Sequence, residues 1–227
     1  MKTLLLAAAL AAGPATASAA TILIDDFRST QVVADRPVEG FPRRSEAFGP
    51  GVIGGYRDLI AKTLNRGGPF ATSLSSNQAE EALLNFSNQS NQRGIGTVRY
   101  DGKGQSGLGG VDLLQGGANR GLLLAVENAD AALTISALIE DTAGQRSMLE
   151  RSYPREIKSQ PVILLFSDFT GIADLSSVNV LEFAFSGPQD LDASFERIVV
   201  APVPLPASGL LLAAAAAGLV ARRRRVR

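Results

Sequence analysis

From Thr21 onward the chain is a succession of short β-type segments separated by clusters of Gly, Asn, Asp and Ser, with few long helical periods. Candidate strands are 21–27, 56–63, 81–86, 96–100, 121–127, 133–140, 146–151, 161–166, 178–185 and 194–200. About ten strands sharing one core predict an all-β, two-sheet β-sandwich over residues 21–202. In Leu133-Thr134-Ile135-Ser136-Ala137-Leu138-Ile139 and in Leu181-Glu182-Phe183-Ala184-Phe185 the larger apolar residues recur at every second position, which gives one core face and one solvent face. Gly121-Leu122-Leu123-Leu124-Ala125-Val126 is continuously apolar, as expected of a central strand covered on both sides. The alternation and the β-branched Thr134 and Ile135 favour a strand over a helix at 129–138. A short helical turn is expected at 77–84.

The two ends read as sorting segments. Met1-Lys2, an apolar run over 4–12 and the small residues Ala17-Ser18-Ala19 have the order of a secretory signal peptide (1–20), so signal peptidase is the first expected partner and the mature chain begins at Ala20 or Thr21. At the other end, Val203-Pro204-Leu205-Pro206-Ala207 precedes an apolar run over 208–221 and then Arg222, Arg223, Arg224 and Arg225. The basic end fixes a cytoplasmic orientation. At ~1.5 Å per residue the run reaches about 21 Å, against a hydrocarbon core of about 30 Å, so it suits a single transmembrane sorting helix that is held briefly and then removed.

Without these segments the apparent neutrality of the chain disappears. All 22 acidic residues lie in the body, whereas six of the 22 basic residues lie in the two signals, which leaves a net charge near −6. Nucleic acid, whose binding needs Lys and Arg against phosphate, is excluded as a partner. The chain has no cysteine and no histidine. Thiol chemistry, disulfides, Ser-His-Asp catalysis and the commonest zinc ligand are therefore absent.

The tail resembles the PEP-CTERM type of bacterial sorting domain in its VPLPA variant, a short Pro-containing motif followed by a weak helix and an Arg cluster. Leu205 stands where the commonest form of the motif has Glu. The resemblance implies cleavage by an exosortase, a membrane-embedded cysteine protease-transpeptidase, and an exopolysaccharide or biofilm setting at the cell envelope or in the extracellular matrix. The body shows a second resemblance in Ile24-Asp25-Asp26-Phe27, Gly54-Gly55-Tyr56-Arg57-Asp58, Val98-Arg99-Tyr100-Asp101-Gly102, Gly109-Gly110-Val111-Asp112-Leu113 and Asp192-Ala193-Ser194-Phe195-Glu196-Arg197-Ile198. It is similar to the jelly-roll, galactose-binding-like domains that include carbohydrate-binding modules, in which the first and last strands lie near one another.

That neighbourhood would bring Asp26 and Glu196 together as oxygen ligands for a structural Ca²⁺. Gly102-Lys103-Gly104-Gln105-Ser106-Gly107 matches a dinucleotide fingerprint in form, but no helix follows and a loop is expected. Tyr56 and Tyr153 are candidates for stacking on a sugar. Sequential acids such as Glu80-Glu81, Glu140-Asp141 and the Asp190/Asp192 set are expected to be solvated, because strand neighbours point to opposite faces. No catalytic residue is assigned. The leading expectation is a non-catalytic glycan-binding or structural module, and the alternative is a carboxylate-based glycan-active enzyme.

Overall fold

The computed structural model describes residues 21–36, 41–65 and 71–202. Among these described residues, fourteen strands form two seven-stranded antiparallel sheets. The strands are β1 (Ile22–Asp25), β2 (Gln31–Asp35), β3 (Arg43–Phe48), β4 (Tyr56–Thr63), β5 (Thr72–Ser76), β6 (Leu84–Asn88), β7 (Gly94–Tyr100), β8 (Gly121–Ala129), β9 (Leu133–Asp141), β10 (Arg146–Tyr153), β11 (Ile157–Leu165), β12 (Thr170–Gly171), β13 (Val178–Ser186) and β14 (Asp192–Ala201). Sheet A runs β11-β8-β14-β6-β5-β2, and β1 also pairs with β14; sheet B runs β12-β10-β9-β13-β7-β4-β3.

Within these sheets, β6-β14-β8-β11 is set opposite β7-β13-β9-β10. Among these eight strands, every connection except the β9–β10 hairpin crosses between the sheets, which gives the double Greek key of a jelly roll. The remaining strands extend that frame at its edges. As expected, the first and last strands meet: Ile22, Leu23 and Asp25 of β1 oppose Val200, Val199 and Ile198 of β14.

Alternation drives the packing. In β9, Leu133, Ile135, Ala137 and Ile139 turn into the core while the residues between them are half-buried. Phe185 of β13 stacks on Phe195 of β14 across the two sheets, with centroids 4.3 Å apart. Gly96 of β7 lets Leu74 and Phe86 of the facing sheet approach its backbone; a Cβ there would lie 2.5 Å from the Phe86 ring. The expected turn near residue 77 is a short 3-10 helix at Gln78–Glu80.

Four strands were not expected from the sequence: β2, β3, β5 and β12. In β5, Thr-Ser-Leu-Ser-Ser carries a single aliphatic side chain, and its inward hydroxyls are satisfied by hydrogen bonds, Thr72 to Asn88 at 3.0 Å and Ser76 to the Ser29 carbonyl at 2.7 Å. A second correction concerns β8. It is paired on both sides, but only its inward face is sealed; Leu123 and Ala125 on the outward face are half-buried, with no second layer of described residues above them. Among the described residues no helix is long and apolar enough to cross a membrane. Residues 1–20 and the tail from Val203 through Arg225 lie outside the described residues.

Candidate functional site

Among the described residues, three gatherings of polar side chains differ in how far their hydrogen-bond partners commit them to structural roles. The first is buried between the sheets. Arg57 of β4 turns inward and donates all five of its N–H groups: to Gln31 Oε1 at 2.9 Å, to both Asp25 oxygens at 3.0 and 2.8 Å, to the Ser29 carbonyl at 2.9 Å and to Ser76 Oγ at 2.6 Å. Tyr100 donates its hydroxyl to Asp25 at 2.9 Å. Burial pushes the Asp25 carboxyl above its usual range against the pull of Arg57, and pushes the Tyr100 phenol far up. Three of the sequence motifs converge here. The cluster ties β1, β4, β5 and β7 together and leaves no donor of Arg57 for a ligand.

The second lies on the outer face of sheet B. Arg44 clasps Asp58 at 2.8 and 2.5 Å, and Arg99 bridges Asp101 at 2.7 Å and Glu182 at 2.8 Å. Asp58 is raised by burial and further by its neighbour Asp101, while Arg44 holds it down. This belt pairs its charges internally.

The third is different. On the outer face of sheet A, β8, β11 and β14 enclose a groove of about 300 Å³ lined by Leu123, Ala125, Val126, Glu127, Ser159, Gln160, Pro161, Glu196 and Arg197. It sits on an irregularity of the sheet: the β14–β8 register shifts between Ser194 and Phe195 and again between Phe195 and Arg197, and Ser159 of β11 has φ of 42°. Such irregularities re-aim side chains, here Glu127 and Glu196. Ala125 is flanked by Arg197 and Pro161, and Leu123 by Val199 and Ile163, so the floor is apolar. Ser159 donates to Glu127 at 3.2 Å. The side chains of Gln160, Glu196 and Arg197 make no hydrogen bond or ion pair among the described residues.

The sequence candidates fall as follows. Glu196 is a groove residue. Asp26 faces the loop before β4, where its carboxylate lies against Gly51, accepts from the Arg28 amide at 3.1 Å and approaches the Arg28 guanidinium at 3.8 Å. Among the described residues no group of three or more Asp, Glu, His or Cys is placed to hold a metal. Tyr56 lies beside Phe48 on sheet B, and Tyr153 packs against the core with its phenol raised by burial. The glycine loop forms a 3-10 turn at Lys103–Gln105, not the long helix a dinucleotide site needs. The sorting-motif residues Val203, Pro204, Leu205, Pro206 and Ala207 and the arginines Arg222 to Arg225 lie outside the described residues. Sequence reasoning missed Glu127, Ser159, Gln160 and Arg197. Their signal was the apolar run at 121–126, which is longer than a one-sided strand requires.

No protein-family profile matches the chain. No curated protein matches it either. Solved structures do align with it. The family 11 carbohydrate-binding module from Clostridium thermocellum, in complex with a beta-1,3-1,4-mixed-linked tetrasaccharide, covers 81% of this chain and 96% of that module at 9% identity and a TM-score of 0.40. TmCBM61 in complex with beta-1,4-galactotriose covers 78% of this chain and 91% of its own at 7% identity and a TM-score of 0.36. An exo-beta-agarase covers 81% of this chain at 12% identity and a TM-score of 0.47, and this chain spans only 25% of that enzyme.

Proposed function

We propose that this is an exported, non-catalytic glycan-binding β-sandwich of the bacterial envelope or extracellular matrix. The observation that carries the reading is the sheet A groove, where an apolar floor is ringed by polar side chains, of which Gln160, Glu196 and Arg197 are left uncommitted among the described residues. A sugar has the same two characters: C–H faces that pack on Leu123, Ala125 and Pro161, and hydroxyls that hydrogen-bond to Glu127, Gln160, Glu196 and Arg197. Charged partners make the stronger of those bonds. The net negative charge of the body favours a neutral polymer over a polyanion.

Export and processing complete the proposal and rest on the sequence motifs. Signal peptidase removes residues 1–20, the apolar run at 208–221 holds the chain in the membrane briefly, and an exosortase-type enzyme cleaves near Val203-Pro204-Leu205-Pro206-Ala207. Intact-mass analysis of the native mature protein tests this, because a product still carrying Arg222 to Arg225 contradicts removal. Replacing those four arginines with Ser is expected to reduce retention and correct cleavage.

The groove also holds two carboxylates, Glu127 and Glu196, the pair an enzyme would need. The purified protein is to be incubated with the host's own exopolysaccharide and with soluble β-glucans, following polymer retention and new reducing ends together. Retention without new reducing ends supports a binding module. Steady release of reducing ends abolished by Glu127→Gln or Glu196→Gln overturns it.

A further inference from the structure

The outer face of sheet B carries an aromatic feature that the groove does not use. Phe48 at the end of β3 is directly opposite Tyr56 at the start of β4. Their rings meet edge to face, with centroids 5.5 Å apart and planes at 65°. Phe48 nonetheless remains 62% exposed. The ring is supported from beneath and bare above, the arrangement in which an aromatic presents area to a ligand at little entropic cost.

What surrounds the pair is polar and pinned. Glu46, which shares the outward face of β3 with Phe48, accepts the Gly104 amide at 2.7 Å and so anchors the glycine loop beside the rings. That loop places the Lys103 ammonium 5.9 Å from the centroid of Tyr56. Gly104 itself, at φ of 58°, would meet nothing within 4 Å if it carried a Cβ, so the space over the loop is open. Next to the rings, Arg44, Asp58, Asp101, Arg99 and Glu182 are joined in ion pairs. With these five charges paired and the remaining two, Glu46 and Lys103, opposite in sign, the surface offers little to a polyanion or a polycation. It suits a neutral ligand with an apolar face for Phe48 and hydroxyls for Glu46 and Lys103, which is again a pyranose chain.

The groove and the aromatic pair lie on outer faces of opposite sheets, and a sandwich holds its two sheets about 10 Å apart. We propose that Phe48, Tyr56, Glu46 and Lys103 form a second glycan-contact surface, and that one molecule therefore bridges two polysaccharide chains. The inference rests on the groove reading and goes beyond it. Binding would retain the protein on the polymer; bridging makes it a cross-linker of the polymer. Two sites on one body also raise apparent retention by avidity, by about 10²-fold or more where both sites engage.

The test compares wild type, Phe48→Ala and the groove variant Glu196→Gln/Arg197→Ala, using soluble β-glucan and the host exopolysaccharide as probes. Light scattering reports bridging, retention on immobilised polymer reports binding, and melting curves confirm that each variant is folded; Phe48 and the groove side chains are exposed enough for substitution to be tolerated. With wild type, scattering is expected to rise with added protein, pass through a maximum and fall at excess as each site captures its own chain. Each single-face variant is expected to keep binding, at least tenfold more weakly than wild type, and to give no scattering maximum. If Phe48→Ala scatters like wild type, or if wild type gives no maximum with either polymer, bridging is wrong. If the groove variant alone loses all retention, bridging fails and the groove reading survives. If Phe48→Ala alone loses all retention, the groove reading fails with it.

Discussion

Arg57 and Arg197 both lie among carboxylates, and the fold treats them in opposite ways. Arg57 is 1% exposed and spends every N–H on Asp25, Gln31, Ser29 and Ser76. Arg197 is exposed, shares its groove with Glu127 and Glu196, and its side chain makes no hydrogen bond or ion pair among the described residues. A buried charge that lost its partner would cost several kcal/mol, so the interior must satisfy it completely. A surface charge is held by water at little cost and stays free to exchange that water for a ligand. In this molecule, completeness of pairing separates the buried polar residues that tie the sheets together from the surface polar residues left available at the groove.

The largest effect should come from breaking the buried cluster. Arg57→Ala leaves Asp25 uncompensated and is expected to lower stability by about 3–5 kcal/mol in denaturant unfolding. The paired replacement Asp25→Leu with Arg57→Met removes both charges and is expected to recover most of that loss. A double variant no better than Arg57→Ala would mean that hydrogen bonds to Gln31, Ser29 and Ser76, not charge, hold the sheets. At the groove the signs reverse: Arg197→Ala should change stability by within about 0.5 kcal/mol and weaken polymer binding about tenfold, equivalent to about 1.4 kcal/mol.

Acid sharpens the contrast further. Asp141 is held below its ordinary value of 3.8 by the Asp174 amide first and by the Gln145 and Ala143 amides, at 2.9, 2.9 and 2.8 Å. Because its folded pKa is depressed, its stabilisation is present above about pH 3.8 and is lost as pH falls through the folded value. Asp25 runs the other way. Its folded pKa is raised, so protonation below that value does not destabilise the fold through this group. Melting curves between pH 5 and 2, values chosen around the ordinary carboxylate range, should therefore fall less steeply for Asp141→Asn than for wild type. Parallel curves would remove Asp141 from the acid response.

The smallest effect concerns calcium. A cation proposed at Asp26 and Glu196 would have to compete with Arg28 for Asp26 and draw its remaining ligands from backbone carbonyls. Millimolar Ca²⁺ is then expected to raise the melting temperature over chelator by about 2–4 °C, near 1 kcal/mol for a body of this size. The same melting temperature in both would dispose of the cation.

The sandwich was legible because alternation in β9 and β13 and the spacing of turns report burial directly. Strands β3 and β5 were not legible, since an edge strand reading Arg-Arg-Ser-Glu-Ala-Phe and an inner strand rich in serine are recognised only through their partners. The Asp25, Arg57 and Tyr100 motifs were visible, but Arg57 is 32 residues and Tyr100 75 residues from Asp25, and nothing local announces the pairing. Glu196, the cation-ligand candidate, lines the groove, a place that depends on the register shifts in β14 and not on anything local in its sequence. The groove itself left one trace, Leu123 and Ala125 at outward positions where a solvated sheet would carry polar residues.

The central claim is that uncommitted polar groups over the apolar floor of sheet A receive a neutral glycan. Amide chemical-shift mapping of the isotope-labelled protein during titration with β-glucan oligosaccharides and fragments of the host exopolysaccharide tests it most directly. The account expects saturable shifts at Leu123, Glu127, Ser159, Gln160, Glu196 and Arg197, with Asp25, Arg57 and Tyr100 unmoved. Saturable shifts elsewhere with these groove residues silent, or no shifts with either ligand, would contradict it.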